Sequence, residues 1–372
     1  MTRVLVAPDK FKGSLTGLEV AEALARGLLR TRPDLEVETL PVADGGDGTL
    51  DAALAAGFER VDVTVTGPTG RPVRTAYAHR DGTAVAEMAD ACGLSRLPGV
   101  RPAPMTASSR GLGEVVAAAL DAGCTTVMLG IGGSASTDGG AGMVSALGAR
   151  LLDESGNPVT DGGAGLAQLD TLDLTGLRRR LAGREIVVAC DVDNPLIGPA
   201  GAAAVYGPQK GATQDDVRAL DAALSHWADV VAATTGSDLR DATGAGAAGG
   251  VGFAALSLLE AGLRPGIDLM LELLDFEKRV AGADLVVTGE GSLDAQSLHG
   301  KAPVGVARAS RTAGARVVAV CGRRTLDDVA LQRVGIDAAY ALTDLEPDPA
   351  VCMSDAARLL EQVGVMLADE LG

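Results

Sequence analysis

The chain has 372 residues, longer than one typical core, and points to two domains. Its formal net charge of -17 excludes nucleic acid as a main partner, because such binding draws its affinity from clustered Lys and Arg. Aromatic residues make up 2% against 47% hydrophobic residues overall, so the core is expected to be built from Ala, Val, Leu and Ile, which suits parallel sheets flanked by helices.

From the N-terminus, "MTRVLVAPDK" reads as a strand running at once into charge, not as a signal peptide. "RVLVAPD" (3–9) is a buried strand, and "LTGLEVAEALARGLLRTR" (15–32) carries apolar residues at helical spacing. "EVETLPVADGG" (36–46) is the next strand, ending in Asp44 and two glycines. Strand, helix and strand make a βαβ unit with a right-handed crossover. From about residue 60 the pattern changes to alternating apolar and polar residues, with turns at "GPTGRP" and "RDGT", the mark of antiparallel hairpins. Helical spacing resumes near 108–122, followed by the strand "TTVMLG" and the stretch "IGGSASTDGG". "REIVVACDVDNPL" (184–196) is a further buried strand ending in acids. After it come "YGPQKGA", a helix over about 214–234, "GAGAAGGVG" and a helix near 253–262. From about 281, "ADLVVTGEGSLDAQ", "ARVVAVCG" and "IDAAYALTD" are strands separated by helical patterns.

Residues 1–60 supply too few strands for a parallel sheet, whereas the three C-terminal strands bring the total to five, the flavodoxin-like number. The expected fold is therefore α/β: a discontinuous flavodoxin-like parallel-sheet domain, 1–60 plus 281–372, with a mixed α/β domain, 61–280, inserted. The active site is expected in the cleft between them. The five cysteines are scattered singly without CxxC spacing, as expected for reduced, buried thiols in a cytoplasmic protein. No stretch approaches the roughly 18 to 20 apolar residues that span a bilayer, so no membrane partner is expected.

Several loops carry chemistry. "LGIGGSASTDGG" ends a strand with glycines that free backbone N–H groups at a helix start, and an anion is its expected guest. "APDKFKGSL" places Lys10, Lys12 and Ser14 after the first strand: lysines suit phosphate, and the serine either ligates Mg²⁺ or caps the helix. In "PVADGGDGT", Asp44 beside glycines suits Mg²⁺ held through water, while Asp47 reads equally well as a helix cap. "ACDVDNPL" puts Asp191, Asp193 and Asn194 at a core edge, where a substrate hydroxyl, a cation or Lys210 of "GPQKGA" is the implied partner. "TGEGSLDAQSLHGKAPVGVA" contributes Glu290, Asp294, His299 and Lys301, with the lone His299 read as structural. "GAGAAG" (244–249) satisfies GxGxxG but follows no strand, so it is set aside as a dinucleotide fingerprint, and no P-loop is present.

The blocks "APDKFKGSLTGLEVAEAL", "PVADGGDGTL", "GIGGSASTDGGAGM", "ACDVDNPL", "GPQKGA" and "ADLVVTGEGSLDAQSLHGKAPVGVA" occur in the order and about the spacing of the bacterial glycerate kinase type 1 family, which the sequence resembles over nearly its whole length. The resemblance implies ATP-dependent phosphorylation of D-glycerate in organic acid metabolism, with Mg²⁺ and with 2-phosphoglycerate as the favoured product. It implies Asp191 as the base taking the hydroxyl proton, with Asp294 as its rival, and Lys10 and Lys12 near the transferring phosphoryl group. Gly132, Gly133, Ser134, Ser136 and Thr137 would receive phosphate or the glycerate carboxylate. Ser14, Asp193, Asn194, Lys210, Asp294 and Lys301 complete the binding set, with Asp44 and Glu290 near the metal. A kinase for another small hydroxy acid, or a non-catalytic protein binding an anionic metabolite, is the alternative, and a homodimer stays open.

Overall fold

The computed structural model describes residues 1–371, except the side chain of His299. The fold is α/β and has two units. One comprises Met1–Asp44, Asp51–Gly57 and the chain from Ile267 on; the other comprises Gly45–Leu50 and Phe58–Gly266. The outer part of the chain thus forms a discontinuous unit. Residues 267–280, read from the sequence as part of the insertion, group with that first unit, as does 51–57, while 45–50 groups with the second.

In the first unit, strands Glu36–Thr39, Arg3–Pro8, Leu285–Leu293, Arg316–Arg324 and Ala338–Ala341 lie side by side in that order. All four pairings are parallel, with Val4 between Val37 and Leu285. The runs "VLVA", "LVVT" and "VVAV" are buried on both faces, as central parallel strands require. The second strand ends earlier than its apolar pattern suggests, at Thr39, although Leu40 and Val42 still donate their N–H groups to the carbonyls of Val6 and Pro8. Asp44 therefore stands beyond the strand. Helix Gly17–Thr31 starts at a capping box in which Thr16 and Glu19 satisfy each other's backbone N–H groups. Its buried stripe of Val20, Leu24 and Leu28 meets Leu359, Leu360 and Val363 of helix Ala356–Glu370. The two helices cross nearly backbone to backbone, since a Cβ on Gly27 would stand 2.0 Å from the Glu361 carbonyl oxygen.

The second unit contains a mixed six-stranded sheet in the order Gly262–Arg264, Glu185–Ala189, Thr126–Gly130, Thr83–Glu87, Pro72–Arg80, Glu59–Thr66. The first four strands pair in parallel and the last two add antiparallel hairpins. The hairpin at "RDGT" turns through Asp81 and Gly82, both at positive φ, as a two-residue turn with the strand twist demands. The single tryptophan, Trp227 on helix Gln214–Thr235, is fully buried, packs edge-on against Phe253 and donates its indole N–H to the Gly139 carbonyl at 3.0 Å. That bond fixes the end of the glycine-rich loop. Among the described residues no helix is long and apolar enough to cross a membrane.

Candidate functional site

In the second unit the loop 131–140 follows the buried strand Thr126–Gly130. Ser134, Ser136 and Thr137 are all buried. The Ser134 hydroxyl makes contacts to the carbonyls of Ser136 and Ala248 at 3.2 Å each, while the Ser136 N–H donates back to Ser134 Oγ. Lys210, in the turn Pro208–Lys210, reaches this loop. It is only 3% exposed, and its ammonium donates to the Ser136 carbonyl at 2.5 Å and to Ser134 Oγ at 3.5 Å. Burial lowers its pKa to about 8, against the opposing pull of Asp138 and Cys92. Thr137 Oγ1 is buried with no hydrogen-bond partner among the described residues. An ammonium that hydrogen-bonds only neutral oxygens, in a loop that also buries an idle hydroxyl, is open to an anionic partner beyond the pull of Asp138.

This is not the helix-start anion cradle that the sequence suggests. The helix after the loop, Ala141–Ala146, has six residues and its N-terminal donors are taken. Asp138, fully buried, accepts from the N–H groups of Gly140 and Gly142 and from both the N–H and hydroxyl of Ser109, and the Met143 N–H goes to Ser109 Oγ. Burial raises the Asp138 pKa, opposed by the Ser109 and glycine hydrogen bonds. Gly132 and Gly133 also serve close packing rather than open space. A Cβ on Gly133, whose φ is +70°, would stand 2.6 Å from Asp47 Oδ1, and one on Gly132 would stand 2.7 Å from Gly46 Cα. The "DGGDG" segment is in turn held by Glu87, whose buried carboxylate accepts from the N–H groups of Gly48 and Leu50. Desolvation there raises the Glu87 pKa to about 7, with Asp47 adding to it.

The "GAGAAG" motif, set aside as a dinucleotide fingerprint, packs against this loop. Ala248, Gly249 and Gly250 all have positive φ. The Gly249 carbonyl accepts from Gly139 N–H at 2.9 Å, and a Cβ on Gly249 would come within 2.0 Å of the Ser136 carbonyl oxygen. Asp138, Glu87 and this turn were missed by motif reading. Their only sequence signal is an acid followed by paired glycines and a carboxylate closing a β-branched run.

Of the three partners the sequence offers the acidic run after strand Glu185–Ala189, Lys210 is not one that the fold brings to it. Lys210 bonds to the serines, while Asp191 and Asp193 are exposed to solvent. Asp191 stands two residues past the strand, and its Oδ1 accepts from the Gly266 N–H at 2.9 Å. Asn194 braces its own loop: its amide donates to the Ala200 carbonyl and its oxygen accepts from the Tyr206 hydroxyl.

In the first unit, Asp9 follows the first strand and is buried, with Lys10 Nζ 3.8 Å from its carboxylate. Burial pushes the Asp9 carboxyl up to about 7, Lys10 opposes this, and Asp44 and Glu290 add repulsion. Glu290, inside strand Leu285–Leu293, is also buried, with Lys301 Nζ 3.4 Å from Oε2 and with Oε1 lacking a hydrogen-bond partner among the described residues. Burial raises its pKa too. Such mutually repelling, partly orphaned carboxylates fit a divalent cation that keeps most of its waters. Among the described residues, however, no three His, Cys, Asp or Glu side chains form a ready metal cage. Lys12 is exposed. Ser14 is not the helix cap, a role Thr16 fills; its hydroxyl donates to the Met353 carbonyl at 2.6 Å. Asp294 accepts from Gln296 N–H and Ser292 hydroxyl, and the first of these holds its pKa below the usual range.

The model of the Glycerate kinase family matches residues 4–371. The chain is similar to the glycerate kinase of Bacillus subtilis, 49% identical over 343 residues covering 91% of this chain and 90% of that one. It is also similar to the glycerate 2-kinase of Escherichia coli, 44% identical over 91% of this chain and 90% of that one. The crystal structure of a Salmonella typhimurium LT2 protein named as a glycerate kinase 2 superposes with a TM-score of 0.87 at 42% identity, covering 100% of this chain and 98% of that one.

Proposed function

The chain belongs to the glycerate kinase family, and on that premise we propose that it transfers the γ-phosphoryl group of ATP to D-glycerate, with Mg²⁺, giving 2-phosphoglycerate. The observation that carries this reading is the match to glycerate kinases over nearly the whole chain, with every motif block on matched residues. The name of the Escherichia coli relative, glycerate 2-kinase, supports the 2-phosphate. The strand order of the first unit, 2-1-3-4-5 when its own strands are counted, supports a flavodoxin-like assignment, in which ligands gather beyond the carboxyl ends of the strands.

Phosphoryl transfer asks the protein for positioning and charge stabilisation more than for covalent chemistry. Mg²⁺, when bound, neutralises phosphate charge; Asp44 and Glu290 would hold it, with Asp9 adding negative potential. Lys10, Lys12 and Lys301 carry the positive charge for phosphate oxygens. Asp191, anchored through one carboxylate oxygen by Gly266 N–H, takes the proton from the substrate hydroxyl. Asn194 shapes the loop that carries Asp191 and Asp193, and Asp294 adds polar character to its own loop in the first unit. The acidic net charge and the scattered free cysteines support a cytoplasmic protein without nucleic acid or membrane partners.

The test is ADP release from ATP and Mg²⁺ with D-glycerate, L-glycerate and a panel of other hydroxy acids. Enolase added without a mutase reads the regiochemistry, since it dehydrates only the 2-phosphate. Turnover of another acid in preference to glycerate, or of none, would reject the assignment.

A further inference from the structure

The loop around Lys210 is left with two candidate guests, a phosphate of ATP or the carboxylate of the acceptor, and its charge and size decide between them. We infer that Lys210, Ser134 and Thr137 form the carboxylate subsite, which makes this enzyme select a small 2-hydroxy acid over a neutral polyol. The inference rests on the glycerate kinase reading.

The first argument is charge. The loop offers one ammonium, and its hydrogen-bond partners are neutral oxygens. The acid that acts on it most is Asp138, whose oxygens are bonded to Ser109 and to loop N–H groups. One buried positive charge is balanced by one carboxylate. A polyphosphate brings several negative charges, and each beyond the first would stand desolvated near Asp138 with no counter-ion.

The second argument is size. Thr137 is gripped from two sides by backbone: a Cβ on Gly163 would lie 2.3 Å from its carbonyl oxygen, and one on Gly249 would lie 2.8 Å from its Cα. Ser136 and Thr137 are fully buried, Ser134 nearly so. Packing this tight leaves no room for a bulky group, which favours a carboxylate on a short carbon chain over a polyphosphate. The third is hydrogen bonding. Thr137 Oγ1 is a buried donor with no hydrogen-bond partner among the described residues, and Lys210 can add N–H donors; together they match the two oxygens of a carboxylate.

Titration calorimetry on the full chain separates the two guests. D-glycerate binding should weaken about 100-fold or more in Lys210→Met, the scale of a lost charge-assisted bond in a buried site, while the affinity for Mg²⁺ and a non-hydrolysable ATP analogue stays within about threefold of wild type. Thr137→Val, which keeps shape and tests the inference even where Lys210→Met fails to fold, should cost glycerate roughly 5- to 20-fold and leave the ATP analogue unaffected. Wild type should bind glycerol, which lacks the carboxylate, far more weakly than glycerate, and Lys210→Met should narrow that preference. Loss of ATP-analogue affinity with glycerate affinity retained, in either variant, overturns the carboxylate subsite while leaving the kinase assignment intact. A wild-type protein that binds no glycerate overturns both.

Discussion

Among the described residues both units bury carboxylates, but only the second also buries a lysine. The first buries Asp9 and Glu290, raises the pKa of both, and leaves Glu290 Oε1 without a hydrogen-bond partner among the described residues. The second buries Lys210 against neutral oxygens and lowers its pKa. Lys10 and Lys301 stand 3.8 and 3.4 Å from the two acids and Asp138 acts on Lys210, yet burial outweighs these partners in each pKa, and burying an incompletely compensated charge costs several kcal/mol. On the proposed kinase reading, a cation would settle the acids of the first unit and a small anion the lysine of the second.

Asp191, an exposed acid of the second unit, should produce the largest effect. Asp191→Asn is expected to lower kcat by roughly 10²- to 10⁴-fold with little change in KM, the usual worth of a general base. If Asp294→Asn loses the activity instead, the proton acceptor belongs to the first unit. The next effect is structural. Gly249→Ala places a Cβ at positive φ, 2.0 Å from the Ser136 carbonyl oxygen. It should cost about 3 kcal/mol or more in denaturant melts, whereas Gly57→Ala, at positive φ but with open space around it, should cost only about 1 kcal/mol. Equal losses would show that the grip on the loop is not tight.

The acids of the first unit give a pH-dependent prediction. Asp9 has a folded pKa of about 7, above its unfolded value of 3.8. Between these values the folded state binds more protons than the unfolded one, so the carboxyl's contribution to stability is full below pH 3.8 and lost as pH rises through 7. Asp9→Asn should therefore raise Tm by roughly 3 to 8 °C at pH 8, and the gap should close towards pH 4. Added Mg²⁺ should raise the Tm of wild type more than that of the variant. A variant less stable than wild type at pH 8 would mean that the Asp9 charge is already compensated within the protein. The smallest effect belongs to a helix end. Thr16→Ala removes a capping box and should cost about 1 kcal/mol with unchanged kinetics.

The fold was legible where a local pattern met a simple rule. The β-branched runs around Val4, Val286 and Val318 announced central strands, and Asp81-Gly82 announced its hairpin. The second strand was read too long because Leu40 and Val42 keep the apolar rhythm and two backbone bonds after the ladder has ended. In the site, the sequence offers Lys210 as a partner for the acidic run at Asp191, and its bond to the Ser136 carbonyl is not legible because the two lie 74 residues apart in the chain. The glycines misled for a physical reason. Gly132 and Gly133 signal close approach, and sequence cannot say whether the approaching group is a ligand or the chain's own Asp47. Asp138 was invisible for a related reason: a buried carboxylate that satisfies its own loop looks, in sequence, like any acid before two glycines.

The parallel pairing of Val4 with Leu285 also sets a timetable for synthesis. At about 5 to 20 residues per second, the first strand leaves the ribosome roughly tens of seconds before the strand that flanks it on its inner side. The second unit is fully translated at Gly266, so it is expected to fold first, while the apolar segment Val4–Ala7 and the stripe of helix Gly17–Thr31 wait exposed for chaperones. Stalled nascent chains ending beyond residue 266 should accordingly resist protease over 58–266 yet remain cleavable within 1–44. Protection of both segments at that length would mean that the N-terminal strand finds a temporary partner.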